Sequence, residues 1–297
     1  MTEGYIVLAT GPAKYVDMAV NLGCSLKVLD PGRSACLVHS PGAALPPLAR
    51  RVFDTLIPLE DDPRFPHVMA KLRLFELSPY HSTMFVDADC LLVKKDVDHW
   101  WRAAQRQHFS VTGTMQRGGR WKGADMAKLM SRFGIDEYCC MNAGVYHFDK
   151  TPEGLRFSRD FMTFFLENRD ALAVSNYKGP NSYSFELCLG IFVGMKKINV
   201  DNMSNYFTDI ENSWMVSTWQ AVYSRFRVDG EQAVIYKASH FLFDLPFLPS
   251  RLTPLSPTFA HFIALKPTRL YNRLARDFRT LVEQRDGAPA AASTAPA

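Results

Sequence analysis

Two carboxylates one residue apart, Asp87 and Asp89, flank Ala88 between two apolar runs, Thr83-Met84-Phe85-Val86 and Leu91-Leu92-Val93. A buried strand that surfaces on a pair of acids suits a hard divalent cation. Mg²⁺ and Mn²⁺ prefer oxygen ligands, often take only one or two protein carboxylates, and complete their shells with substrate phosphates and water. This points to chemistry on a diphosphate. The triplet is also common by chance, and acids at strand ends form plain turns. The surrounding elements must therefore decide between the two readings.

Those elements alternate in the first half of the chain. Tyr5 to Ala9 reads as a buried strand, and Tyr15, Met18, Ala19, Leu22 and Leu26 share one face of a helix over 14 to 27. Ala35 to Val38, Thr55 to Pro58 and Thr83 to Val86 read as further strands, and 66 to 78 as a helix. Strands alternating with helices predict an α/β fold with a mainly parallel central sheet. Ligands of such sheets bind at the carboxyl ends of the strands. Thr10 ends the first strand and Asp87 the fourth, so both would face one crevice if those strands are neighbours. Beyond the acids, Ser110 to Met115 and Gly144 to Phe148 read as strands, with a glycine-rich, basic and mobile loop over 116 to 123. Leu155 to Glu167 and Phe185 to Val193 read as helices, and Lys197 to Val200 and Ala233 to Tyr236 as short strands.

The chain has 297 residues, 47% hydrophobic and 22% charged, which is a globular balance. Of its net charge of +4, all lies from Arg251 onward; the preceding residues balance 27 against 27. Nucleic-acid binding therefore has no electrostatic footprint in the main body. Six scattered cysteines without a C-x-x-C pair argue against a zinc site or a disulfide framework. The N-terminus lacks a basic n-region, so the first apolar run is a strand rather than an export signal. A cytoplasmic location is expected.

Several stretches, in order, resemble the GT-A fold glycosyltransferases of the glycogenin and lipopolysaccharide galactosyltransferase type, glycosyltransferase family 8. They are Leu8-Ala9-Thr10, Tyr15, Leu22-Gly23-Cys24-Ser25-Leu26, Lys71-Leu72, Phe85-Val86-Asp87-Ala88-Asp89, Met141-Asn142-Ala143-Gly144-Val145, and His261-Phe262 with Lys266-Pro267. The resemblance spans about residues 4 to 268. It implies a hexosyltransferase that moves a sugar from a nucleotide-diphosphate sugar, a UDP-sugar by preference, to an acceptor hydroxyl with retention. The acceptor (sugar, lipid, peptide or small molecule) stays open. Asp87, Asp89 and His261 would hold Mn²⁺ or Mg²⁺, with His240 as a rival to His261. Thr10, Tyr15, Lys71, Ala88 and Lys266 would bind the donor, Tyr15 by stacking on the base unless it packs in the core. Asn142 and Lys71 would contact the reacting sugars. Asn205 resembles a later family asparagine.

The chain departs from the family at one place that matters. Where an acid-Gln pair is usual near the reacting carbon, it reads Asn181-Ser182-Tyr183-Ser184-Phe185-Glu186-Leu187. Glu186 is the one carboxylate available there, and it could equally serve the first turn of a helix. Two other readings therefore stay open: an inactive nucleotide-sugar binding protein, and a nucleotidyltransferase on a similar core. Trp214 and Trp219 could stack on an acceptor or pack in the core. Residues 269 to 285 form a basic amphipathic helix that could pack on the domain or lie on the inner membrane surface. Residues 286 to 297, rich in Ala and Pro, read as a disordered tail.

Overall fold

Every second residue of the first strand faces a different core, which fixes the strand at the centre of a two-sided sheet. In the computed structural model, which describes residues 2–173, 182–198, 212–218, 221–238 and 252–287, Tyr5, Val7 and Ala9 join one apolar cluster and Ile6 the other. This strand, β1 (Glu3–Ala9), lies between β2 (Ser34–His39) and β4 (Ser82–Val86), both parallel to it. With β3 (Thr55–Pro58), β9 (Tyr138–Asp149) and β6 (Phe109–Gln116) the sheet runs β3-β2-β1-β4-β9-β6. Only β9 is antiparallel to its neighbours. The mainly parallel α/β sheet flanked by helices is thus present, and β1 and β4 are direct neighbours.

Helix α1 (Lys14–Leu29) covers one face, and α6 (Pro152–Glu167) with α8 (Phe185–Lys196) covers the other. The expected helix over 66 to 78 divides into a 3-10 turn, His67–Arg73, and a short α3 (Leu74–Leu77). Of the strand expected over Lys197 to Val200, Lys197 and Ile198 are not in a strand and 199–200 lie outside the described residues. Lys197 closes α8 in the left-handed region at φ 51°. The loop over 116 to 123 becomes part of a tight hairpin, β7 (Arg120–Trp121) with β8 (Ala124–Asp125).

A second sheet was not anticipated. The apolar run after the acid pair forms β5 (Cys90–Leu92), which pairs antiparallel with β13 (Leu252–His261). Strand β13 also carries β10 (Asn212–Ser217) on one side and β12 (Ala233–Ala238), then β11 (Ala221–Phe226), on the other. Trp214 is fully buried here and stacks on Trp100, with ring centroids 6.2 Å apart, so its place is the core. His240, Asn205 and Trp219 lie outside the described residues.

The basic terminal helix, α9 (Thr268–Gly287), buries Tyr271, Leu274, Ala275, Phe278 and Val282 in the same cluster as α1. Arg279 Nε donates to Asn21 Oδ1 at 2.6 Å, and Asn21 Nδ2 to the Tyr271 hydroxyl at 3.0 Å. Its apolar face therefore packs on the domain. Among the described residues no helix is long and apolar enough to cross a membrane. All six cysteines are free and buried.

One buried group ties stability to pH. His147, on β9, is 0% exposed; its Nε2 shares a 2.9 Å hydrogen bond with Ser82 Oγ and its Nδ1 has no partner among the described residues. Burial lowers its pKa to about 4 from the usual 6.5. A depressed histidine favours folding fully above pH 6.5, and that contribution disappears as pH falls toward 4. At ~1.4 kcal/mol per unit the loss is roughly 3 kcal/mol. His147→Gln should flatten this acid limb in denaturant titrations at pH 4 to 7. An unchanged slope would show that other groups carry it.

Candidate functional site

The register of the second sheet assembles the site. A turn closed by Cys90 N–H donating to Asp87 O at 2.9 Å ends β4 on the acid pair. Pairing of β5 with β13 then sets His261 opposite Cys90, and Phe262 N–H donates to Asp89 O at 2.9 Å. These bonds bring His261 Nε2 to 3.1 Å from Asp89 Oδ1. Lys71, on the 3-10 turn, places Nζ 2.6 Å from Asp87 Oδ1 and 4.6 Å from the centre of the Phe85 ring. Ala88 is buried between the acids.

A bulge supplies the rest. Pairing of β6 with β9 shifts register between Val111 and Gly113, opposite 142–145 of β9. Bulges re-aim side chains and leave backbone groups outside the ladder. Asn142 accordingly turns toward the second sheet: its Nδ2 lies 3.1 Å from Ser217 Oγ and 3.3 Å from His261 Nδ1. Its Oδ1 accepts from Gly144 N–H at 3.0 Å, which fixes the amide and makes His261 Nδ1 the acceptor. The His261 proton then sits on Nε2, facing Asp89. Ala143 N–H donates to Glu186 Oε1 at 3.2 Å, and Glu186 Oε2 pairs with Lys122. Glu186 stands in the first turn of α8, whose N-cap Ser184 accepts from Leu187 N–H.

The electrostatics follow from burial and pairing. Burial acts to raise the Asp89 carboxyl, but His261 outweighs it and holds Asp89 below its ordinary value. Burial acts to lower His261, but Asp89, with Asp87 and Glu186 beyond, holds it above its ordinary value. For Asp87, burial and the neighbouring Asp89 outweigh Lys71, and its carboxyl is raised.

The donors fit a divalent cation of the Mn²⁺ or Mg²⁺ kind. The Asp89 carboxylate and the His261 imidazole converge, and ligand atoms of Asp89, Cys90 and His261 lie within 4.8 Å of one another. Burial pushes the Cys90 thiol well up, and it faces Gly144 O at 3.9 Å, so it stays a protonated neighbour rather than a ligand for a hard ion. Asp87 lies outside that group and is held by Lys71. Gly144 is required by close approach: a Cβ there would sit 2.9 Å from His261 Nδ1 and 3.1 Å from Asn142 Oδ1. Gly144→Ala should displace His261 and weaken cation-dependent thermal stabilisation about ten- to hundredfold in apparent affinity. Full retention would show that His261 is not a ligand.

Of the residues singled out from sequence, Asp87 and Lys71, Asp89 and His261, and Asn142 with Glu186 beside it thus form one cluster. Thr10 follows β1, the strand that neighbours β4. Tyr15 is 36% exposed at the start of α1, so core packing does not account for it. Lys266 follows β13 on the surface, and its carbonyl accepts from Thr218 Oγ1 at 2.7 Å. Ser217 and Lys122 were not foreseen, because a serine ending a strand and a lysine in a glycine-rich turn carry no spacing signal.

Neither a family model nor a curated protein sequence matches the chain. Among solved structures it is similar to the bifunctional glycosyltransferase WbbM, with a TM-score of 0.46 and 13% identity over 73% of this chain and 40% of that one. It is similar to the glycosyltransferase GlyE of Streptococcus pneumoniae (TM-score 0.42, 12% identity, 67% of this chain and 45% of that one). A third similarity is to the galactosyltransferase LgtC, at 0.40 and 14% over 64% and 70%. The chain spans less than half the length of the first two.

Proposed function

We propose that this protein is a cation-dependent glycosyltransferase that moves a hexose from a nucleotide-diphosphate sugar to an acceptor hydroxyl. The observation that carries the reading is the convergence of Asp87, Asp89 and His261 with Lys71 at the carboxyl end of β4. Two carboxylates, an imidazole and one ammonium in a single cluster suit a cation-bound diphosphate. When bound, the cation neutralises the diphosphate as it leaves.

The chain's own groups would do the remaining work. Asp89 and His261 would hold the cation, with Asp87 as a further ligand once free of Lys71. Lys71 then offers its charge to a donor phosphate. Thr10, just after β1, and the exposed Tyr15 ring, at the start of α1, meet ribose and base, and Lys266 meets the diphosphate. Asn142, fixed by Gly144 N–H, presents its amide to sugar hydroxyls. Positioning and charge stabilisation of an oxocarbenium-like state are what such a cluster supplies. We assign a UDP-sugar and a retaining outcome by the sequence resemblance.

A thermal-shift and turnover screen of UDP- and GDP-sugars with Mn²⁺ tests this. Cation-dependent stabilisation by one donor, with release of its nucleotide, is the expected result. Stabilisation without release in the presence of varied acceptors would make it a binding protein. Pyrophosphate release from a nucleoside triphosphate and a sugar phosphate would make it a nucleotidyltransferase.

A further inference from the structure

We infer that Lys122 is a positioning residue that locks Glu186 as a fixed anion beside the reacting sugar, an inference that rests on the glycosyltransferase reading. Lys122 is not an ordinary surface lysine. It occupies the turn between β7 and β8 at φ 49°, with Gly123 at φ 85°. A two-residue hairpin turn with both central residues in the left-handed region favours Asn-Gly, and a long side chain is disfavoured at the first position. A lysine held there signals a demand on its charge.

The hairpin that holds it is anchored. Trp121 is buried and stacks on Tyr138 with ring centroids 5.5 Å apart. Helix α8 meets that ring at Gly190, where a Cβ would lie 2.9 Å from the indole. Met126 N–H donates to Gly119 O at 2.9 Å across the base of the hairpin. The Lys122 and Glu186 side chains are only 16% and 18% exposed. The pair is therefore set by packing and mostly shielded from water, unlike exposed pairs that contribute little.

The consequence falls on Glu186. Ala143 N–H takes one carboxylate oxygen and Lys122 the other. A carboxylate engaged at both oxygens does not swing in to form a covalent bond with a sugar carbon. It acts instead as a stationary negative charge next to Asn142, facing positive charge that develops at that carbon. Lys122 touches neither substrate nor cation in this role and works through Glu186.

Lys122→Asn tests this, because asparagine suits the turn better than lysine while the ammonium is removed together with its stem. The variant should still fold and melt within a few degrees of the wild type, the better turn residue offsetting part of the lost pair. Its kcat should fall about ten- to hundredfold while the donor KM stays within about threefold. Lys122→Arg should recover most of the loss, and Lys122→Asn should cost little more in a Glu186→Gln background. Unchanged kcat in Lys122→Asn, or an equal loss in both backgrounds, overturns the proposal. Hydrogen exchange at the Ala143 amide reads the same contact without turnover. Faster exchange in Lys122→Asn supports the lock, and unchanged protection overturns it even if no donor is ever turned over. Absence of turnover in the wild type with every nucleotide sugar would instead bring down the glycosyltransferase reading.

Discussion

Asp89→Ala should remove cation-dependent transfer almost completely, by roughly two to three orders of magnitude in turnover, while the chain still folds. Several kcal/mol of charge stabilisation by a bound cation, at ~1.4 kcal/mol per tenfold, sets that scale. Folding survives because the backbone carbonyl of Asp89, which accepts from Phe262 N–H, is untouched. The lost carboxylate also leaves His261 without its 3.1 Å partner. Breaking such a pair costs up to about 3 kcal/mol in the cation-free protein. The pH window follows from the two shifts. Asp89 is lowered in the fold, so its contribution is present above about pH 4 and disappears in acid. His261 is raised, so its contribution is full below about pH 6.5 and disappears as pH rises through its folded value. The melting difference between wild type and variant should therefore be largest between about pH 4 and 6.5 and narrow above. Cation-dependent stabilisation runs the other way and grows with pH, because the imidazolium of His261 must give up a proton before a ring nitrogen can bind a cation. Melting curves at several pH values, with and without Mn²⁺ and a nucleotide sugar, measure both slopes. Transfer at the wild-type rate would end the metal role of this residue.

What could be read ahead of the structure divides along physical lines. Strands β1 to β4 were legible because a two-sided sheet imposes near-continuous apolar runs bounded by turn residues. Helix α1 was legible because its period matches 3.6. The strand that carries His261 was hidden. Pro254 and Pro257 interrupt β13, and proline in a short run argues against a strand. The imidazole could be singled out only by its company, His261 with Lys266 and Pro267, and not by the element that delivers it to Asp89. The hairpin at 120–125 was hidden for the opposite reason: glycines in a basic stretch read as a mobile loop, while a buried Trp121 and a cross-strand pair hold it in place. Asn142 and Glu186 were identified as separate candidates. Their juxtaposition depends on the register shift in β9, which no local pattern encodes.

Lys71→Met should lower turnover about a hundredfold and also destabilise the cation-free protein, and the two losses have separable causes. Methionine keeps the unbranched stem that packs near Phe85 and Phe185, so the change reports the charge. In the wild type the ammonium, 2.6 Å from Asp87 Oδ1, partly opposes the burial that raises this carboxyl. Without it the folded carboxyl climbs further. A raised carboxyl penalises the fold as pH rises above its unfolded value near 4, so the variant should lose stability progressively as pH rises from about 4 through the folded value. Asp87→Asn placed in the Lys71→Met background should recover that loss, since the unpaired charge is gone, and the two substitutions should be strongly non-additive in stability. Turnover should not recover, because both the phosphate partner and a cation ligand are then missing. A cation with a nucleoside diphosphate should also stabilise Lys71→Met, through Asp87, but more weakly than it stabilises the wild type. The two proteins stabilised equally, with turnover intact, would assign Lys71 to neutralising Asp87 alone and leave the diphosphate to other groups.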